Sequence, residues 1–292
     1  MSDAPDPAAD LRSRAEAAAG ALPALILAAE RLSATVRPGA HGLRRPGPGE
    51  EFWQYRPAAA TDDARAVDWR RSARSDLTFV RDRERVSPRA AHLWVSAGAG
   101  MDWRGRADRP TKADRARLLA LALGLLLLRG GERVGVLGHP ATAGRTQAER
   151  IARDLAALPA DAADADAPPT APVRGGETLI LISDFMGDPA PVEDTLARAA
   201  GAGATGALLQ VLDPDEEGFP YAGAVLFRSA SGRLSHDTRD AGGLRDAYLD
   251  RLAARRARLD AVAQAAGFRF GIHLTASPPA EALLWLAAAL EA

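Results

Sequence analysis

Residues 177–184 read Glu-Thr-Leu-Ile-Leu-Ile-Ser-Asp. The run Leu179–Ser183 has no polar alternation, so it predicts a strand over Glu177–Asp184 that is covered on both faces, as strands of a parallel sheet are. Working outward, Val192–Ala200 has helical spacing and Gly206–Leu212 repeats the unbroken apolar pattern. Upstream lie a helix at Thr146–Leu158, a strand at Arg133–Gly138, a strong helix at Lys112–Leu128 and a strand at Ala91–Ser96. Downstream, Ala222–Asp237 reads as a hairpin about Ser231–Gly232. Leu244–Ala266 then reads as helix, Phe268–Thr275 as strand and Pro279–Leu290 as helix. Strands alternating with helices predict an α/β fold with a doubly wound, mostly parallel sheet. Such sheets gather ligands at the carboxyl ends of their strands, near the point where strand order reverses. The positions that fall there are Ser96–Asp102, Ser183–Asp184 and Asp213–Glu216.

The N-terminal third has a different texture. Leu11–Val36 reads as a helix interrupted at Pro23, and His41–Gly49 as a loop rich in Arg, Pro and Gly. Aromatic residues then cluster among charges: Phe52, Trp53, Tyr55, Trp69 and Phe79. Asp62, Asp63 and Asp68 lie within a few positions of Arg65, Arg70, Arg71 and Arg74, close enough for guanidinium–carboxylate pairing. A short helix capped by Thr61 or Asp62 would stack Arg65 on Trp69, four residues on. From Leu77 the period changes to two, which predicts a strand to about Val86.

Composition narrows the function classes. The chain has 292 residues, enough for one large domain or two small ones, and 37 basic against 38 acidic residues. That balance argues against an extended nucleic-acid footprint. The absence of cysteine excludes disulfides, thiolate metal sites and a thiol nucleophile. Lys112 is the only lysine, and the near-exclusive use of arginine reads as a bias of coding composition. The acidic opening residues do not form a secretory signal, and Leu118–Leu128 is too short to cross a bilayer. A cytoplasmic protein without a membrane span is therefore expected. Its expected layout is a disordered start (1–8), an N-terminal helix with the aromatic segment (9–89), and an α/β domain (90–292).

No catalytic set is complete. Gly98 and Gly100 open a dinucleotide fingerprint, but its third glycine would fall at Trp103. No phosphate-binding loop ending in Gly-Lys-Ser/Thr is present, and the five histidines share no metal-ligand spacing. Asp184 is the sharpest single acid, since a carboxylate ending an apolar strand has to be met by a cation, water or backbone donors. Asp213, Asp215 and Glu216 would charge a loop or hold a hard cation. A metal-assisted hydrolase using Asp184, Asp213 and Asp215 is the enzymatic alternative.

Taken together, Gly49–Arg56, the aspartate-tryptophan box Asp62–Arg74, Phe79–Asp82, Thr111–Ala116, Gly131–Val134, Ile182–Phe185 and Asp213–Pro214 resemble the signature of the bacterial domain-of-unknown-function family 58. The resemblance implies a von Willebrand factor A-like fold and association with MoxR-type AAA+ ATPases, hence a non-enzymatic adaptor that acts on a protein client. It points to Phe52, Trp53, Arg56, Asp62, Arg65, Asp68, Trp69 and Arg74 as motif or partner-binding residues. A-like folds often carry a divalent-metal site built on an Asp-x-Ser-x-Ser loop. The matching positions here are Ser96, Gly98 and Gly100, with Asp184 as the later acid. Two of three loop oxygens are lost, so the site is expected to be degenerate, with Mg²⁺ disfavoured and no cofactor needed.

Overall fold

The computed structural model describes residues 23–36, 43–59, 63, 65, 67–74, 77–87, 89–144, 146–157, 166–229 and 235–291, with backbone alone for 43–54, 56 and 81–87. The chain divides into two compact units. One is Ala40–Arg89; the other joins the N-terminal helix to everything from Ala90 onward.

The larger unit is a mixed α/β structure. Its central sheet consists of β3 (Ala90–Val95), β4 (Arg133–Val136), β5 (Thr178–Ser183), β6 (Thr205–Leu212) and β9 (Phe268–Leu274), in the order β4-β3-β5-β6-β9. Every neighbouring pair in that sheet is parallel. The connecting helices are α3 (Lys112–Arg129), α4 (Gln147–Ala156), α5 (Ala190–Gly201), α7 (Arg245–Ala265) and α8 (Pro279–Glu291). The strand alternation sorts the core into two layers. Leu93, Val95, Ile180 and Ile182 pack with α3, α4, α8 and the helix at 23–34 (α1), while Trp94, Leu179 and Leu181 pack with α5 and α7. Leu118–Leu128 falls inside α3, where Leu119, Leu121 and Leu123 are fully enclosed. Each such side chain contributes about 1.5–3 kcal/mol of burial. No described helix is long and apolar enough to cross a membrane.

After β3 the chain crosses through α3 to β4 on one side, and then returns through α4 to β5 on the other. The strand order therefore reverses between β3 and β5, and the crevice at their carboxyl ends is where a doubly wound sheet opens. The predicted hairpin is present as β7 (Val225–Arg228) and β8 (Ser235–Thr238), and its turn at Ser231–Gly232 lies outside the described residues. So do residues 1–22, Thr61, Asp62 and the middle of the Asp/Ala/Pro linker.

The smaller unit corrects two expectations. His41–Gly49 was expected as loop, yet β1 runs from Leu43 to Pro57 and pairs antiparallel with β2 (Phe79–Ser87). Pro46 and Glu51 both face Glu84, so a bulge lifts residues 47–50 out of the ladder. A bulge is where a sheet tolerates proline and glycine. Secondly, the short helix is α2 (Trp69–Ser72), and its cap is Asp68, whose carboxylate accepts from the Arg71 amide at 3.1 Å. The stacked arginine is Arg71, which lies 4.3 Å from the Tyr55 ring centroid and 5.3 Å from that of Phe79. Trp69, at the first position of α2, is 66% exposed.

Candidate functional site at the strand ends

The crevice is built from the turns that follow β3, β5 and β6. After β5 the chain turns sharply: Phe185 takes a left-handed conformation (φ 51°), unusual for a buried aromatic residue. The turn is fixed by the Phe185 amide donating to Ser183 Oγ (3.0 Å) and the Met186 amide donating to Asp184 Oδ1 (3.0 Å). Asp184 is only 5% exposed, and its own amide points at Met101 Sδ, at 3.3 Å, in the short 3₁₀ turn Ala99–Asp102 after β3. Gln210 of β6 donates to the Asp184 carbonyl at 2.8 Å and receives Arg256 Nε on its own side-chain oxygen at 2.9 Å.

The cation that meets Asp184 is Lys112. Its ammonium lies 2.7 Å from Asp184 Oδ2 and 2.6 Å from Glu216 Oε1, and the residue is 1% exposed. Helix α3 begins at Lys112, with Thr111 as its N-cap accepting from the Asp114 amide at 3.0 Å. The first position of a helix is electrostatically poor for a cation, since unpaired amides there carry partial positive charge. The two carboxylates more than offset this. Burial disfavours the charge on Lys112, but Asp184 and Glu216 outweigh it and raise its pKa above the ordinary lysine value. Nζ also lies 5.9 Å from the Trp103 ring centroid, within cation–π range.

The acids after β6 form a second, adjoining group. Asp213 caps α6 (Pro214–Gly218) in a capping box, with Asp215 N donating to Asp213 Oδ1 at 2.9 Å and Asp213 N donating to Glu216 Oε2 at 3.0 Å. Arg109 Nη1 reaches Asp213 Oδ1 at 2.6 Å and Asp215 Oδ1 at 3.0 Å, and Thr275 Oγ1 donates to Asp213 Oδ2 at 3.1 Å. Burial would raise the Asp213 pKa, but the amides of Asp215 and Gly105, the Thr275 hydroxyl and Arg109 together bring it below the ordinary value. Gly105 is needed for this approach, since a Cβ there would stand 2.2 Å from Asp215 Oδ2. Glu217 is ion-paired with Arg256.

Of the four positions expected to form a degenerate cation site, Ser96 and Asp184 lie at the ends of the adjacent strands β3 and β5. Ser96 is engaged elsewhere: its hydroxyl donates to Asp166 Oδ1 at 2.9 Å and accepts from the Gly98 amide at 3.2 Å. Gly98 sits so close to Asp166 that a Cβ would meet Oδ1 at 1.5 Å, and Gly100 lies in the 3₁₀ turn. Among the described residues, no three His, Asp or Glu side chains are placed to hold a metal ion. Glu216 is one of the acids that sequence marks after β6, whereas Lys112, Arg109 and Asp166 are not marked as site residues by sequence. For Lys112 the available signal was its being the sole lysine.

The motif residues belong to the other unit. Phe52, Trp53 and Arg56 lie on β1, with Trp53 at a register shift between Phe52 and Gln54; Asp62 lies outside the described residues. Arg65, Trp69 and Arg74 are exposed. Asp68 caps α2 and also receives the Tyr55 hydroxyl at 3.2 Å. Ser72 Oγ bridges the Asp68 carbonyl (2.8 Å) and the Phe79 amide (2.9 Å), which ties the box to β2.

Residues 54–258, most of the chain, match the family model for Protein of unknown function DUF58. The chain belongs to that family. Uncharacterized proteins of Mycobacterium tuberculosis and Mycobacterium bovis are each 30% identical to this DUF58 protein over 230 residues, covering 73% of it and 70% of the relative. Three solved structures also match. They are an aerotolerance-related membrane protein from Bacteroides fragilis (14% identity, TM-score 0.38), BatB from Bacteroides thetaiotaomicron (13%, 0.40) and an uncharacterized membrane spanning protein from Vibrio fischeri (14%, 0.19). They cover 70%, 70% and 68% of this chain and 98% of each matched chain. Likeness at these TM-scores carries no argument about the fold. The expectation of a cytoplasmic location is nonetheless corrected here, because two of these matches are described as membrane proteins. That expectation rested on the lack of an export signal and of an apolar span, and neither fixes where a folded α/β unit works.

Proposed function

We propose that this DUF58 protein is a non-enzymatic interaction protein, an adaptor of the von Willebrand factor A-like type that acts with a MoxR-type AAA+ ATPase on a protein client. One observation carries the proposal: the acids at the strand ends are already held by cations of the same chain. Lys112 takes Asp184 and Glu216, and Arg109 takes Asp213 and Asp215. A metal-assisted hydrolase built on Asp184, Asp213 and Asp215 would need these carboxylates for an ion and for an activated water. The parallel sheet and the sequence resemblance support the A-like assignment. In the smaller unit, the exposed Trp69 and Leu77, flanked by Arg70, Arg71 and Arg74, are residue types suited to anchoring an interface.

The residues present do not fit Mg²⁺. Gly98 and Gly100 bring no side-chain oxygen, the Ser96 hydroxyl serves Asp166, and an ion on Asp184 Oδ2 would stand against an ammonium 2.7 Å from that oxygen. No step of the proposed function passes through a metal.

Titration calorimetry of the full chain with a MoxR-type ATPase tests the proposal. The expected result is a saturable complex that Trp69→Ala weakens about 30-fold, the effect of an interface anchor. Metal-dependent release of product from a hydrolase substrate panel, lost in Asp213→Asn, would overturn it.

A further inference from the structure

Resting on the reading of the crevice as a site without a metal, we propose that the Lys112 ammonium is its resident cation, a covalently tethered replacement for a divalent ion. Removing that ammonium uncovers a divalent-cation site on Asp184 and Glu216.

Three observations converge on this. First, Lys112 is the only lysine in a chain whose 36 other Lys/Arg positions are all arginine, and it is buried in the sheet domain, 1% exposed. An ammonium is a compact point charge, whereas a guanidinium is a wide planar fork. The single nitrogen of the ammonium sits 2.7 and 2.6 Å from two carboxylates that arrive from different strand ends, β5 and β6. Second, the ammonium lies at the reversal of strand order, with Asp184 fixed by its turn and Glu216 by its capping box. Both acids are therefore held in place by backbone amides as well as by Lys112. Third, Lys112 starts α3, where a cation opposes the helix dipole. Its position is explained by the two acids and not by helix preference.

The charge balance follows. One ammonium leaves this pair of carboxylates with a net charge of about −1, and the Lys112→Ala variant leaves both carboxylates with no cation and a void where three methylenes and the ammonium had been. Divalent cations favour such oxygen-lined, anionic sites. Mn²⁺, a spectroscopically visible hard cation, is the probe.

The test measures Mn²⁺ binding by electron paramagnetic resonance, and the melting temperature with and without Mn²⁺, on the full-length isolated chain. The wild type is expected to bind no Mn²⁺ in the millimolar range and to melt at the same temperature in EDTA. Lys112→Ala is expected to melt lower, to take up Mn²⁺, and to regain about 5 °C when it is saturated. Adding Asp184→Asn should abolish both gains. Lys112→Arg is expected to be destabilised although its charge is kept, as a merely electrostatic tether would not require. If Lys112→Ala is recovered unfolded, refolding it with Mn²⁺ is expected to restore the folded chain.

Two results overturn the proposal. One is a wild type that binds Mn²⁺ through Asp184; the other is a Lys112→Ala chain that gains neither binding nor stability from the ion, folded or refolded. These readouts need no partner, so failure to engage the ATPase counts against the proposed function alone.

Discussion

The two units treat their charges in opposite ways. At the strand ends of the sheet domain, Lys112, Arg109, Asp184, Asp213 and Glu216 are turned inward and matched to one another within 3.0 Å. In the Ala40–Arg89 unit, Asp68 is spent on capping a four-residue helix, while Trp69, Arg70, Arg71 and Arg74 face solvent. A region whose polar groups are satisfied internally is specified by the fold. A region that leaves a large aromatic ring and several guanidinium groups in water has recognition capacity in reserve. The sequence is dense in charge in both places, so density alone does not tell them apart; burial does.

The largest effect that would sharpen the contrast is expected from Asp184→Ala. It leaves the Lys112 ammonium with one carboxylate in an enclosed site, and should cost about 3–5 kcal/mol in urea unfolding. A loss below about 1 kcal/mol would place this pair with surface ion pairs and break the comparison.

Next comes a pH effect at the far side of the crevice. His273 is 4% exposed, and its Nε2 meets Arg115 Nη1 at 2.9 Å; burial and then Arg115 lower its pKa to about 4. The folded chain thus favours neutral imidazole and the unfolded chain titrates near 6.5. Stability is full above pH 6.5 and falls as the pH drops toward 4, by about 3 kcal/mol in all. His273→Gln should flatten that limb in unfolding curves taken from pH 7.5 to 4.

Asp68→Ala removes a cap and the Tyr55 hydrogen bond, at a cost of about 1–2 kcal/mol. Hydrogen exchange should show the loss confined to the Ala40–Arg89 unit, with the sheet domain protected as before. The smallest stability change is expected from Trp69→Ala, within about 0.5 kcal/mol of the wild type, since the ring is exposed. A large loss of stability there would mean that this ring belongs to the fold and not to recognition.

How far sequence could anticipate these arrangements follows from the range of each signal. The parallel strands and their helices were legible because unbroken apolar runs such as Leu179–Ile182 and helical spacing in Lys112–Arg129 are local patterns. Asp184 was legible for the same reason, as an acid ending such a run. Its partner was not, because Lys112 lies 72 residues away and meets it only through the crossover by α3 and β4. Strand β1 was misread because Pro46–Gly49 are chain breakers in isolation, and only the pairing with Glu84 shows that a bulge absorbs them. Sequence does not mark Asp68 as the cap of α2, because Thr61, Asp62, Asp63 and Asp68 all offer capping chemistry within eight positions. The choice was made by Tyr55 and β2, both of which bear on Asp68 from outside the helix.

Enclosing its single lysine has a practical outcome for the folded protein. Apart from the α-amino group, the native surface presents no amine, so acylating reagents and amine-directed crosslinkers have no side chain to react with until the crevice opens. The rate at which Lys112 becomes acylated is therefore a single-residue clock for local opening at the ends of β3 and β5.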